Sequence, residues 1–311
     1  MQALLDPTNR LFTLARSAQR LPHVVVAVML SPVFLYGSVI AGSIVGSLLF
    51  GPLGNGGPVL QELESELRNI TIFGLMALML ALWLRGFEGR QLWTLGLERK
   101  SVARPILVGW LVSVVMIAVA VGVSALVGGA TATPNLTALG GLTALALSLI
   151  VIPSRFVQGG AEELIFRGWM LPTLGVRYRP WIGVLVSSLV FSILHVANAG
   201  LLPLAILNIA LIGLFIALYA LREGSLWGVI GLHAGLNWAQ TNLFGLSASG
   251  HTVGATLMNV QLTGSELITG GAFGIENSLT MTVVMVIAVG VEVVLMRRTK
   301  ASVAAGLPAA A

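Results

Sequence analysis

Long apolar runs alternate with short polar breaks along this chain. A helix needs about 20 mostly apolar residues to cross the ~30 Å hydrocarbon core of a bilayer. Eight windows qualify, near 24–50, 69–85, 104–128, 140–172, 181–200, 201–221, 225–245 and 279–296. The Gly200-Leu201-Leu202-Pro203 link is a tight break that divides the fifth from the sixth. The pattern therefore predicts an all-α polytopic membrane protein, a bundle of eight transmembrane helices. Small residues such as Gly141, Gly183 and Gly213 allow those helices to approach closely.

The basic residues of the polar breaks fall almost entirely on one side. Arg10, Arg16 and Arg20 precede the first window, and Arg85, Arg90, Arg99, Lys100 and Arg104 separate the second from the third. Arg177 and Arg179 follow the fourth, Arg222 the sixth, and Arg297, Arg298 and Lys300 the eighth. The alternate breaks hold only Arg68 and carry Glu62, Glu64, Glu66, Glu266 and Glu276. The positive-inside rule then predicts cytoplasmic N- and C-termini. An odd number of spans would scramble the alternation.

Composition agrees with a membrane setting. Of 311 residues, 56% are hydrophobic and 9% charged, with mean hydropathy +0.94; soluble domains carry roughly 25% charge. The net charge of +5 is spread over loops, so membrane orientation explains it better than nucleic acid does. The absence of cysteine excludes disulfides, a thiolate nucleophile and Cys-based metal sites. Residues 1–22 lack the apolar core of a signal peptide. After Asp6-Pro7, Thr8, Leu11, Phe12 and Ala15 share a face, which predicts a short cytoplasmic amphipathic helix on the membrane surface, a mobile tail being the alternative. A membrane domain over 23–300, with its chemistry at about 140–245, precedes a cytoplasmic tail at 301–311. The Gly/Ser/Thr-rich segment from Leu246 to Ser278 reads as a solvated connector rather than a cover for the site.

Several ionisable groups nonetheless fall inside apolar windows, where a central charge costs on the order of 2.5–3.5 kcal/mol by insertion scales. Glu162 and Glu163 are adjacent in Gly-Gly-Ala-Glu-Glu-Leu-Ile-Phe-Arg, and Glu163 and Arg167 are i,i+4 partners on a helix. Glu162 points about 100° away, so one arginine does not easily hold both, which leaves one structural carboxylate and one free to act as a base. Phe191 and His195 share a second helix face, which sets an aromatic ring beside an imidazole, and His233 and Asn237 share a third. Counted at 1.5 Å per residue from Pro172, Pro180 and Gly224, the three groups meet in the middle-to-cytoplasmic half of the bilayer. Arg155 and Glu292 read as members of structural ion pairs, with Arg297 the nearby partner for Glu292. His23 and His251 read as incidental.

In this order and spacing, Glu162-Glu163-x-x-x-Arg167, Phe191-x-x-x-His195 and His233-x-x-x-Asn237 resemble the CPBP family. That group, of CAAX proteases and bacteriocin-processing proteins, comprises intramembrane proteases and includes the Ras-converting enzyme. The resemblance covers about residues 155–245. It implies an eight-helix bundle with a glutamate-based endopeptidase site. Glu162 and His195 would activate water, His233 and Asn237 would stabilise the oxyanion, and Glu163 with Arg167 and Phe191 would support them. It implies no cofactor and a membrane-embedded or membrane-associated peptide or protein substrate, with no nucleic acid. The Ala/Gly/Val-rich composition and short loops point to a bacterial inner membrane, where a peptide precursor or leader fits better than a prenylated tail.

Three other readings use the same residues. Glu162, His195 and His233 could form a three-ligand zinc site, although the usual His-Glu-x-x-His is missing. A non-catalytic scaffold or immunity protein would keep the residues without using them. A proton-coupled transporter also buries Glu and His, but neither a hydropathy repeat nor paired broken helices are evident.

Overall fold

A computed structural model describes residues 5–51, 57–98, 102–134 and 140–304. The fold is almost entirely helical, as apolar sequence in lipid requires, since every backbone N–H and C=O must be paired within its own segment. The long helices are α2 (Val24–Phe50), α3 (Pro58–Trp83), α4 (Ala103–Gly128), α9 (Pro203–Glu223) and α12 (Leu279–Ala304). The fourth apolar window is broken into α5 (Gly141–Ile150), α6 (Ile152–Glu163), a π-turn (Leu164–Met170) and α7 (Leu171–Arg177). Next comes α8 (Pro180–Ile193), which ends in a 3-10 turn (Leu194–Ala197). α10 (Trp227–Trp238) ends in a second π-turn (Ala239–Leu243).

Among the described residues seven helical stretches are long and apolar enough to cross a membrane. The seventh window of the sequence is the exception, because helix and π-turn from Trp227 to Leu243 fall short of that length. It is still the most enclosed part of the molecule. Residues Gly228 to Leu236 are all buried, and α4 and α6 clasp α10 from two sides. Gly231 and Gly235 make this possible: an added Cβ on Gly235 would lie 3.0 Å from the Trp110 backbone, and one on Gly231 would run into the Ile106 carbonyl, 2.8 Å from its carbon. The room these glycines provide is filled by α4. α9 is the central span, 67% buried inside the protein against 22% for α2.

The helix after Asp6-Pro7 is shorter than the sequence suggests. It is α1 (Arg10–Ala15), capped by Asn9, whose side chain accepts from Leu11 N at 3.0 Å. Its apolar side does not lie on the membrane. Leu11, Phe12 and Ala15 are buried in the protein, with Phe12 against Gly175 of α7. The segment after Leu246 also differs from a solvated connector. Its strand β2 (Met258–Leu262) pairs antiparallel with β1 (Ala130–Pro134), Ala130 opposite Leu262. Buried Glu276 fixes it further, accepting from Ser249 N (2.8 Å), Ser249 Oγ (2.7 Å) and Gln240 Nε2 (3.1 Å).

Candidate active site

Three helices bring the chemistry together. α6 delivers Glu162 and Glu163 at its last turn, where the π-turn begins; π-turns inside helices are frequent at functional sites. α10 lies close against α6 because position 159 is glycine: a Cβ there would stand 3.1 Å from Cβ and Cγ of His233 and from Ala234 N. α8 contributes Phe191 in its last turn and His195 in the 3-10 turn that follows.

Glu163 is the hub. Its Oε1 accepts from Arg167 Nη1 at 3.1 Å and from His233 Nδ1 at 2.7 Å, with Glu163 and Arg167 fully buried. A carboxylate only accepts, so the contact puts an imidazole proton on Nδ1 of His233 and fixes its ring. Arg167 is held in turn by Gly213 O, to which Nη2 donates at 3.2 Å. Its guanidinium lies 4.4 Å from the centroid of the Phe191 ring. Phe191 also sits edge-on to His195 (4.8 Å between centroids) and to His233 (6.1 Å). One phenyl ring thus touches a cation and both imidazoles.

Glu162 is treated differently. It is 7% exposed, its Oε2 is buried without a hydrogen bond, and its nearest charged neighbour is His233 Nε2 at 3.8 Å. That separation is too long for a hydrogen bond. His195 is half-buried; its Nδ1 lies 2.8 Å from Phe191 O. A carbonyl only accepts, so Nδ1 carries the proton and Nε2 keeps its lone pair. Glu162 makes neither ion pair nor hydrogen bond with His195. Asn237 is half-buried on α10, and its amide makes no hydrogen bond with the described residues.

The other polar residues are structural. Arg155 pairs with Glu66 at 2.6 Å across α6 and α3. Glu292 pairs with Arg222 of α9 rather than with Arg297, because the helix facing it offers a closer cation than its own end does. His23 caps α2, its Nδ1 accepting from Val25 N, and His251 is exposed in the segment after Leu246.

Sequence reasoning missed Gly159 and the second partner of Glu163. The Gly159-Gly160 pair ahead of the carboxylates was the available signal for close approach. Nothing local marks a contact between Glu163 and a residue seventy positions away.

Residues 144–239 match the family model described as type II CAAX prenyl endopeptidase Rce1-like. The chain carries a CAAX-protease domain. The matched part is just under a third of the sequence and holds Glu162, Glu163, Arg167, Phe191, His195, His233 and Asn237. A CAAX-protease domain is a peptidase, so the chain is a membrane peptidase with several apolar helices. No curated protein and no solved structure matches the chain.

Proposed function

We propose that this CAAX-protease domain is an intramembrane endopeptidase in which Glu162 is the general base. One observation carries the reading. Of two adjacent buried carboxylates, Glu163 is engaged by Arg167 and His233, whereas Glu162 accepts no hydrogen bond from the described residues and stands 3.8 Å from the His233 imidazole.

The steps follow from the proton positions. A water held at the Glu162 carboxylate gives it a proton as the water oxygen bonds to the scissile carbonyl carbon. The lone pair on His195 Nε2 orients that water by accepting its second hydrogen. The carbonyl π electrons move onto oxygen, and the Asn237 Nδ2–H donates to the resulting oxyanion. With Nδ1–H committed to Glu163, His233 donates from Nε2 only while it holds a second proton. Collapse of the intermediate breaks the C–N bond, and the proton on Glu162 leaves with the amine. No step needs a cofactor.

Zinc bound by Glu162, His195 and His233 is the second reading. Among the described residues no three His, Asp or Glu side chains are grouped to hold a metal. Asn237 would also lack a task in that arrangement. The test is direct: activity on a genuine substrate, found by comparing membrane peptides from wild-type and Glu162→Ala cells, is measured with and without chelator. Loss on chelation with rescue by zinc alone would replace the metal-free reading.

We also place Trp227–Leu243 across the membrane as the eighth span, although it is short. Its neighbours α4 and α6 enclose it, and that count keeps the arginines on one side and both termini cytoplasmic. A bacterial inner membrane and a membrane-embedded or membrane-associated peptide substrate complete the reading.

A further inference from the structure

The segment after Leu246 reaches the elements of both His195 and Asn237 through one buried carboxylate. His195 needs such a tie, because the 3-10 turn that carries it, Leu194–Ala197, contains no buried residue. Packing therefore does not fix its place. Hydrogen bonds do: Tyr36 Oη donates to Leu194 O (3.1 Å), Asn198 N to His195 O (2.9 Å) and Asn198 Nδ2 to Ser249 O (3.0 Å).

Ser249 is an unusual residue for its position. Ala248 and His251 exchange backbone hydrogen bonds of 2.9 Å in both directions, so Ser249 and Gly250 form a tight turn with φ of 48° and 82°. Such turns need positive φ at both central residues and favour Asn or Asp at the first. Among the described residues Ser249 is the one non-glycine residue with positive φ. Glycine at 250 has its own reason: a Cβ there would stand 2.3 Å from Ala199 O, so the turn packs against the chain just past Asn198. An unfavourable backbone conformation persists where its surroundings over-determine it. Here Ser249 gives both its N–H and its hydroxyl to Glu276 Oε2, at 2.8 and 2.7 Å.

The other oxygen of Glu276 serves the other element. Oε1 accepts from Gln240 Nε2 at 3.1 Å, and Gln240 is fully buried in the π-turn Ala239–Leu243, just beyond Asn237. The backbone of Glu276 is itself held to the central helix α9, where Asn208 Nδ2 donates to Glu276 O and to Ser278 O at 2.8 Å each. The groups that donate to the carboxylate are all neutral, and burying a carboxylate among neutral partners is costly. Closing a loop does not require one. Holding donors that arrive from two separate elements does, since a carboxylate accepts on both oxygens and an amide on only one.

We propose that Glu276 is a positioning residue: it ties the His195 turn to the Asn237 helix, so that the imidazole and the amide keep one fixed relative placement. The acting roles of His195 and Asn237 rest on the peptidase reading; the tie between their elements does not.

Glu276→Gln keeps the size of the side chain but breaks one tie, because its new N–H meets a donor. On that variant kcat per folded molecule should fall about tenfold to 10²-fold with KM nearly constant, the scale of a small misplacement of reacting groups. Combining Glu276→Gln with Gln240→Glu reverses the polarity of one bond and restores both ties, so kcat should return. Nitroxide labels at Val196→Cys and Leu243→Cys, in a chain with no other cysteine, report the same tie without turnover. Their distance distribution should broaden in Glu276→Gln and narrow again in the double exchange. If Glu276→Gln does not fold, Asn198→Ala cuts the His195 branch alone and should give the same broadening with a smaller loss of kcat. An unchanged distance distribution overturns the tie, whatever the activity. Wild-type kcat in the folded variant, or a loss that the folded double exchange leaves unrepaired, overturns the positioning role. The peptidase reading falls separately, if Glu162→Gln retains wild-type activity.

Discussion

Two buried carboxylates sit beside π-turns in this molecule and have opposite surroundings. Glu88 ends the π-turn Leu84–Glu88, which carries Arg85. It accepts from Arg90 Nε at 2.7 Å, from Trp83 Nε1 at 2.9 Å and from Trp169 Nε1. Glu162 lies two residues before the π-turn at the site and accepts no hydrogen bond from the described residues. Burial is alike, so burial does not mark function here. A saturated carboxylate is fixed and spent, whereas an unsaturated one retains capacity for a proton. The two are linked, since Trp169 and Arg167 lie on the same π-turn, one anchoring each region.

The comparison breaks if the two residues respond alike to substitution. Glu162→Gln should lower kcat by ~10²–10⁴, the range of general acid–base catalysis, with unchanged thermal stability in detergent. Glu88→Ala should do the reverse. Removing one partner of a buried ion pair costs about 3–5 kcal/mol, so the melting temperature and folded yield should fall while kcat per folded molecule holds. If Glu88→Ala slows turnover as much as Glu162→Gln, the division between the regions is wrong.

Smaller effects sharpen it. Asn237→Ala should cost ~10²–10³ in kcat with KM nearly constant, as for loss of one oxyanion donor; a change confined to KM would make Asn237 a substrate-binding residue. Gly159→Ala places a methyl against the His233 ring, and overpacking of this kind costs about 1–3 kcal/mol. Its signature should be a kcat loss larger than that of Gly160→Ala, whose Cβ finds its nearest neighbour at 3.7 Å. Chelation should produce the smallest effect, no change in rate.

The sequence made the apolar spans and the three polar motifs legible, because each depends on spacing within one helix. Glu163 with Arg167 and Phe191 beside His195 are contacts between residues four apart, which the helical period exposes. Partners across helices were not legible. Glu163 to His233, Arg155 to Glu66 and Glu292 to Arg222 each join elements whose relative placement only the packed bundle sets. The strands β1 and β2 were hidden for the same reason, since neither segment makes a ladder alone. Phe12 was half legible: its place on an apolar face could be read, but not that Gly175 would receive it instead of lipid.

The π-turn at Leu164–Met170 has a consequence for insertions and deletions. Each α-helical residue advances the side chain by about 100° around the axis. A single residue removed between Glu163 and Arg167 would turn every later side chain by about that angle. Arg167 would leave Glu163, Trp169 would leave Glu88, and Gly175 would swing away from Phe12. The segment therefore acts as a phase-setting spacer, and its residue count is constrained more tightly than its residue identities. A substitution at an exposed position of the Leu246–Ser278 segment leaves this timing intact; a one-residue deletion in the π-turn uncouples the active site from Glu88 in one step.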